Sequence, residues 1–331
     1  MLKSFLQLIK KRALFESEDK LLLAVSGGVD SMALLHLVST LDTQYAVAHC
    51  NFQLRGSESD ADEALVKKTT LALGKVFHLE RFDTNTYATI NKVSTQMAAR
   101  DLRYAWFEEL RKRHGYTKVV LAHHANDNIE TFLLNMVRGT SIKGQKGMNI
   151  IAGHLIRPLL DFSKEEILNF AEKEGVEWRD DSSNDQTFYK RNFVRKEMVP
   201  RLEELNPDLL QTMKRNMARN NEVYELSQKV ISKLRGDLIN ASDGNLTIDK
   251  SDLAKNNIGP YVLSELLCEF GFNYSRCEDI LFALESSGKI FKSLTHRIIV
   301  DRKQLIIQEL KKQGDAQQAN YFQQLMGQYV K

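Results

Sequence analysis

The chain has 331 residues, of which 43% are hydrophobic and 27% charged, a balance typical of a globular protein with room for two domains. Its net charge of +3 excludes a uniformly basic surface, so nucleic-acid binding needs a local patch. No apolar stretch can span a membrane, no cleavable signal pattern is visible, and the three cysteines form no C-x-x-C pair. We therefore predict a cytoplasmic protein without a disulfide framework.

The first predicted strand, an apolar run at residues 21–25, ends in a glycine-rich turn before a helical pattern at 32–37. Strand, tight turn and helix N-terminus together form a geometry that binds phosphate. The glycines let backbone N–H groups approach an anion, the serines add hydroxyl donors, and the aspartate is suited to a metal ion. The alternative is an ordinary turn with capping serines. The turn is not a Walker loop, which requires G-x-x-x-x-G-K-[ST]. Its residues are Ser26, Gly27, Gly28, Val29, Asp30 and Ser31.

Strand and helix patterns alternate through the first half of the chain. Repeated strand–helix units predict an α/β fold with a doubly wound parallel sheet, whose ligands lie beyond the carboxyl ends of the strands. Ser26, His49 and His123 fall at such ends, so we expect them to converge on one crevice. Strands are predicted at 44–50, 76–79, 118–123 and 150–156, and helices at 59–73, 94–113 with a stop at Gly115, 128–137 and onward from Ser163.

The second half has a different character. Residues 188–219 are predicted to be helical and basic, with eight Lys/Arg against four Asp/Glu, and 240–245 are predicted to form a loop. Helical patterns at 261–270 and 278–286, strand-like runs at 298–300 and 305–307, and a polar helix-like tail from 309 follow. We predict a catalytic domain at 1–187, a basic helical linker at 188–236 and a small α+β domain at 237–331.

Four further motifs accompany the loop. They read H-C-N-F-Q-L-R-G at 49–56, A-A-R-D-L-R-Y at 98–104, A-H-H-A-N-D-N-I-E-T at 122–131 with R-G at 138–139, and D-D-S-S-N-D at 180–185 with R-N-F-V-R at 191–195. With the loop, this set resembles the tRNA(Ile)-lysidine synthetase family. That family belongs to the N-type ATP pyrophosphatases, whose fold is adenine nucleotide alpha hydrolase-like.

The resemblance implies a carbon–nitrogen ligase that uses ATP and Mg²⁺. ATP adenylates the carbon-2 oxygen of the wobble cytidine in the CAU anticodon of tRNA(Ile), and pyrophosphate leaves. The amine of free L-lysine then attacks that carbon and releases AMP, which leaves lysidine. The resemblance also implies that the domain at 237–331 binds tRNA and that the protein can form a homodimer.

The resemblance assigns roles to particular residues. Asp30, Asp127, Glu130 and Arg100 are the expected catalytic residues, and Asp30 is also the expected Mg²⁺ ligand. The whole loop, Ser26 to Ser31, is expected to bind ATP together with His49 and Arg103. Arg191 and Arg195 of the last motif are expected to bind tRNA. Lys214 and Arg215, outside the motifs, are expected to contact the tRNA backbone as part of a basic helical face, or to be simply solvated.

The i, i+3 spacing of Asp127 and Glu130 puts both carboxylates on one face of a helix. There they could grip the ammonium groups of lysine or help deprotonate the attacking amine, or simply be solvated acids of a first helical turn. Family members often carry two adjacent acids here, whereas this chain has Asn126 before Asp127. The histidines at 49, 123 and 124 are expected to line the cleft or belong to the core. The aromatic and basic run at 188–193 suits an unstacked base or a buried aromatic stripe.

Three alternatives remain from the sequence. A cytidine thiolase of the same superfamily needs paired cysteines, which Cys50, Cys268 and Cys277 do not form. A GMP- or asparagine-type synthetase needs an ammonia-handling domain, for which the chain has no room. A non-catalytic tRNA-binding relative is opposed by the intact loop.

Overall fold

The computed structural model describes residues 1–180, 190–242 and 244–310. The D-x-S-N motif beyond Asp180, the aromatics Phe188 and Tyr189, and the tail beyond residue 310 lie outside this part of the chain. The protein divides into two compact units, Met1–Asn221 and Glu222–Lys331. The functional boundaries after residues 187 and 236 remain predictions.

The first unit is built on a mainly parallel sheet. Its strands are β1 (Lys20–Ala24), β2 (Gln44–Asn51), β3 (Val76–Arg81), β4 (Lys118–Val120), β5 (Ile151–Ala152) and β6 (Leu155–Ile156). Their order is β3-β2-β1-β4-β6-β5, and only β5 runs antiparallel to its neighbour. The chain order reverses between β1 and β4, so the crevice for a ligand opens there. The predicted α/β fold with a doubly wound parallel sheet is confirmed.

Helices cover both faces of this sheet because the strands are apolar on both sides. In β1, Leu21 and Leu23 pack with the helices of one face, whereas Leu22 packs with Trp106 and Phe107 on the other. The helices are α1 (Leu2–Arg12), α2 (Val29–Ser39), α3 (Ser57–Ala72), α4 (Thr84–Asn91), α5 (Thr95–His114), α6 (Ala125–Val137), α7 (Ile142–Gln145), α8 (Lys164–Lys173), α9 (Lys190–Phe193), α10 (Val199–Leu205) and α11 (Leu209–Leu238), the last running into the second unit.

Local signals placed several helix ends correctly. The Ser94 side chain caps α5 and Gly115 ends it with a φ of 70°. Ser163, where a helix was predicted to begin, forms a capping box with Glu166 at the start of α8. Several elements differ from expectation: the helices α1, α4 and α7 were not predicted, and the strand predicted at 150–156 is the β5–β6 hairpin, which turns at Gly153 with a φ of 61°.

The amino-terminal half of the predicted linker packs on the first unit. A π-helical turn, Val194–Met198, joins α9 to α10, and Val194 and Met213 belong to one apolar cluster with Ile129 and Leu133 of α6. This packing places the basic helices beside the first turn of α6.

The second unit is a small α+β domain, as predicted. Its strands, β7 (Asn240–Ser242), β8 (Asn245–Asp249), β9 (Ile290–Lys292), β10 (His296–Val300) and β11 (Gln304–Glu309), form an antiparallel sheet in the order β7-β8-β11-β10-β9. Helices α12 (Lys250–Lys255), α13 (Pro260–Leu266) and α14 (Tyr274–Phe282) pack on it around Ile248, Ile298 and Leu305. Of the residues predicted as a loop at 240–245, residues 240–242 and 245 instead belong to the strands β7 and β8. In the described part of the chain, no helix combines the length and hydropathy of a membrane span.

Candidate active site

The glycine-rich turn joins β1 to α2 at the switch point of the sheet. Gly27 has a φ of +100°, which an L side chain rarely adopts, and Gly28 is the N-cap of α2. Ser31 holds the turn closed: its hydroxyl accepts from the N–H groups of Ser26 and Gly27 at 3.1 and 3.2 Å and donates to the Gly28 carbonyl at 2.9 Å. The Gly27 N–H therefore bonds within the loop itself, which leaves the first N–H groups of α2 as the donors that can bind an anion.

The Asp62 side chain of α3 packs against the glycine-rich loop. A Cβ on Gly27 would lie 3.3 Å from the Asp62 Cβ, so the backbone and this α3 side chain are in close contact. Asp62 binds Arg55 at 2.7 Å and Arg179 at 2.9 Å, and the Arg179 N–H donates to the Gly27 carbonyl at 3.0 Å. Asp62 therefore holds the side chains of Arg55 and Arg179 beside the loop.

A cavity of about 320 Å³ opens beside the loop. One wall is the loop, including Asp30 and Ser31, and the others come from β2, α5 and the end of β4. Phe52 and Phe107 give it an apolar side, whereas Arg103 and His123 give it polar groups. The Arg103 guanidinium lies 5.2 Å from the centre of the Phe52 ring. A cavity with one apolar side and an anion-binding loop at its edge suits a nucleotide.

The two strand-end histidines have different surroundings. His123 lines the cavity, and burial lowers its pKa to about 4, so the ring is neutral near pH 7. His49 is buried with its Nδ1 atom 2.8 Å from the Val25 carbonyl oxygen, and burial lowers its pKa as well. Its neighbours Ala48 and Cys50 line the cavity, so His49 points to the opposite face of β2. Burial raises the pKa of the Cys50 thiol to about 12, which keeps it protonated.

The predicted acid pair is confirmed as a spatial pair, and two arginines neutralise it. The Glu130 side chain, only 2% exposed, accepts from the Nε atoms of Arg191 and Arg195, both at 2.6 Å. Asp127 accepts from the same guanidinium groups at 3.0 and 3.4 Å. Burial raises the pKa of Asp127, but His124 and Arg191 outweigh this effect and leave the pKa below its ordinary value. Asp127 is consequently a carboxylate near pH 7.

His124 connects the acid pair to the loop. As the N-cap of α6, its Nδ1 atom accepts from the Asp127 N–H, which places the ring proton on Nε2 in the neutral form. That Nε2 atom lies 3.5 Å from an Asp127 oxygen and 3.8 Å from an Asp30 oxygen. The motif at 122–131 thus contributes to one continuous site with the loop.

Lys164 is a site residue that the sequence analysis missed. Its Nζ atom lies 2.7 and 2.8 Å from the two carboxylate oxygens of Asp30, and its backbone N–H donates to the Asn126 side chain at 2.9 Å. The capping box marked Ser163 as a helix start, but no local signal indicates that this start lies against α2. Three carboxylates and three cations therefore form one connected series of contacts, in which His124 lies between Asp30 and Asp127: Asp30, Asp127, Glu130, Lys164, Arg191 and Arg195.

The other predicted residues lie elsewhere. Arg100 is exposed, with its guanidinium 4.8 Å from the ring centre of Tyr104, a residue of the cavity wall. Lys214 donates to the Asp161 carbonyl at 2.6 Å, and Arg215 forms an exposed ion pair with Asp208 at 3.3 Å. The structure brings Arg103, Arg191 and Arg195 to the cavity or the acid pair, but none of these contacts tests a role in binding tRNA.

The donor set around Asp30 suits a cation that arrives with phosphate. In the parts of the chain that are described, no group of three or more His, Cys, Asp or Glu side chains could hold a metal ion alone. A single carboxylate beside a phosphate-binding loop fits Mg²⁺, which keeps several waters and is commonly held by one or two carboxylates and substrate phosphates.

Comparisons with known proteins agree with this geometry. The PP-loop domain profile matches residues 1–202, and the TilS substrate binding domain profile matches residues 241–310. The U34-tRNA thiolase NcsA from Methanococcus maripaludis, determined with its [4Fe-4S] cluster, superposes with a TM-score of 0.55 at 16% identity over 66% of this chain and 78% of that one, which shows the shared fold. Loop, sheet and cavity together define a PP-loop ATP-binding protein.

The closer similarity is to one family of these proteins. The tRNA(Ile)-lysidine synthase of Parabacteroides distasonis is 40% identical over 305 residues, which is 92% of this chain and 69% of that protein. The one from Bacteroides thetaiotaomicron is 36% identical over 93% of this chain and 72% of its own length. The chain belongs to the tRNA(Ile)-lysidine synthase family.

Proposed function

We propose that this chain is a ligase that uses ATP to join lysine to the wobble cytidine of tRNA(Ile) with a CAU anticodon, giving lysidine, AMP and pyrophosphate. The observation that carries this function is the position of the acid pair. The His124 ring lies between Asp127 and Asp30 of the phosphate loop, with its Nε2 atom 3.5 and 3.8 Å from their oxygens, and Asp30 lines the 320 Å³ cavity. A nucleotide in the cavity would hold its phosphates beside the place where an amine can bind.

ATP is expected to lie with its base against the apolar side of the cavity and its phosphates at the start of α2. The first N–H groups of that helix and its dipole stabilise the anionic phosphates. Arg103 borders the cavity and can offset the charge of the α-phosphate as the cytidine oxygen attacks. We assign His49 and Asp62 to the support of the loop, because His49 contacts the Val25 carbonyl just before it, Asp62 packs against Gly27, and neither residue lines the cavity.

Bound Mg²⁺ would be held by Asp30 and would neutralise charge on the phosphates. Asp30 is suited to this position because it sits in the first turn of α2, the same turn that faces the phosphates. Adenylation converts the cytidine oxygen from a poor leaving group into a good one, which then departs as AMP.

The acid pair and the two arginines complement free lysine. Lysine carries a carboxylate and two ammonium groups, and the cluster offers guanidinium groups for the former and carboxylates for the latter. The lowered pKa of Asp127 makes it a weak base, so we assign it to binding and orienting the amine rather than to storing its proton. The contacts of Arg191 and Arg195 favour a place in the lysine site over the tRNA backbone contacts predicted from sequence.

The remaining parts of the proposal rest on the family. We propose that the second unit, which matches the TilS substrate binding domain, contacts tRNA, with Lys214 and Arg215 as further backbone contacts. Action in the cytoplasm and assembly as a homodimer also belong to this proposal. The thiolase alternative is disfavoured because Cys50 is the one cysteine among the residues that line this cavity, and desolvation raises the pKa of its thiol to about 12.

Incorporation of radiolabelled lysine into unmodified tRNA(Ile) in the presence of ATP and Mg²⁺ tests the function. We expect label with the wild-type chain and at least a hundredfold less with Asp30→Asn, since both the metal ligand and its charge are lost. Release of pyrophosphate without label would point to another nucleophile or tRNA. No consumption of ATP with any tRNA would contradict the enzymatic role and favour the non-catalytic relative.

A further inference from the structure

Lys164 reaches from the start of α8 to the start of α2. Its ammonium bridges both oxygens of Asp30, and its N–H donates to Asn126 in the first turn of α6. The capping box of Ser163 and Glu166 fixes the helix end that carries it. The N-termini of three helices thus converge around one lysine side chain, which is positioned from both its backbone and its ammonium group.

Stability alone does not account for a lysine at this position. The side chains of Lys164 and Asp30 are 43% and 28% exposed, and ion pairs of that exposure contribute little to folding. A cation in the first turn of a helix also opposes the helix dipole, which favours negative charge there. Lys164 thus gains little from its ion pair and opposes the dipole of its helix. Its position at the edge of a phosphate-binding loop is explained if an anionic ligand completes its surroundings.

We propose that Lys164 is a phosphate-contacting residue of the ATP site that exchanges partners when the nucleotide binds. Without ATP its ammonium holds Asp30. With ATP bound, the ammonium moves to phosphate oxygens and leaves Asp30 to the cation that accompanies the nucleotide. The inference rests on the proposed function only in placing the phosphates of ATP at this loop.

Repulsion between two cations and the length of the lysine side chain both favour this exchange. A divalent cation on Asp30 would lie about 2 Å from a carboxylate oxygen, close to an ammonium that now covers both oxygens, and the two positive charges would repel. The nucleotide brings several negative charges to the same place, and the flexible four-carbon stem of lysine lets the ammonium follow them. Asn126 accepts the Lys164 N–H in either state, so the backbone need not move.

The first measurement is the affinity for ATP with Mg²⁺, by calorimetry without tRNA, for wild type, Lys164→Met, Lys164→Arg and the matched control Lys173→Met. Lys173 lies exposed in the last turn of the same helix. We expect Lys164→Met to weaken binding about tenfold to a hundredfold, the range for a hydrogen bond to a charged group, with Lys164→Arg much closer to wild type and Lys173→Met unchanged. Equal affinity of Lys164→Met and wild type would overturn the proposal.

The second measurement is Mn²⁺ binding to the complex of the protein with ATP, followed by electron paramagnetic resonance. We expect Asp30→Asn to weaken Mn²⁺ binding to this complex, because Asp30 is free to hold the cation once the ammonium has moved to the phosphates. Equal Mn²⁺ affinity of Asp30→Asn and wild type would refute the exchange. Neither assay involves lysine or tRNA, so a chain that binds ATP but forms no lysidine would refute the proposed function without affecting this inference.

Discussion

The substitution Glu130→Gln tests whether the buried acid organises the two arginines. Glutamine keeps the shape and one carbonyl oxygen but loses the charge. Its NH₂ group is a donor and cannot accept a hydrogen bond from a guanidinium group. Glu130 accepts from two Nε atoms at 2.6 Å, and each bond to a charged group contributes about 1.5–3 kcal/mol. One bond is lost and the other becomes neutral, while the arginine side chains are 39% exposed and can regain water. We therefore expect the first unit to lose about 2 kcal/mol of stability.

Both tryptophans, Trp106 and Trp178, lie in the first unit, so their fluorescence in a urea titration reports on that unit. Glu204→Gln, an exposed acid of α10, is the matched control and should leave the midpoint unchanged. Lysine incorporation by Glu130→Gln should fall at least a hundredfold because the arginines lose their fixed positions. A stability change below about 0.5 kcal/mol together with normal incorporation would refute the role of Glu130.

Three further predictions follow from the loop and the cavity. Gly27→Ala should weaken ATP binding at least tenfold, because its φ of +100° and the 3.3 Å approach to Asp62 oppose a Cβ; Gly153→Ala, with a φ of +61° and open space, should bind ATP normally in the same calorimetric assay. Alkylation at pH 8, followed by peptide mass spectrometry, should modify the exposed Cys268 and spare the half-buried Cys50, because desolvation raises its pKa to about 12; equal rates would contradict this protonated state. Burial lowers the pKa of His123 to about 4, whereas an unfolded chain binds this proton at about pH 6.5. The stabilising effect of the neutral ring is therefore complete above about pH 6.5 and is lost as the pH falls toward 4. His123→Gln should therefore show a smaller decrease in unfolding free energy between pH 7 and pH 4.5 than wild type, and an unchanged decrease would contradict this account.

The sequence alone determined features that depend on neighbouring residues. The strand, glycine turn and helix around Gly27 were predictable because a tight turn with positive φ requires glycine. Ser94 and Ser163 were predictable as caps because a side-chain oxygen bonds to an N–H three residues on. The βα repeat also predicted the parallel sheet and its ligand-binding edge, while the motifs, through family resemblance, indicated the chemistry.

Short elements were less predictable. The strand β7, Asn240–Ser242, contains residues that favour turns, and it is a strand because it pairs with β8 across the Gly244 turn. The hairpin β5–β6 was predicted as one strand because the apolar pattern continues on both sides of its turn. In both cases the hydrogen bonds of the sheet, rather than local propensity, decided the structure.

Only the tertiary structure decided which charges meet. Lys164 pairs with Asp30 across 134 residues, and Arg191 pairs with Glu130 across 61. A sequence shows that a side chain is charged but not which opposite charge lies within 3 Å of it, because that depends on how helices from distant segments pack at one edge of the sheet. From the sequence the acid pair had no identifiable partners, whereas in the fold two guanidinium groups share its oxygens, since buried carboxylates require partners.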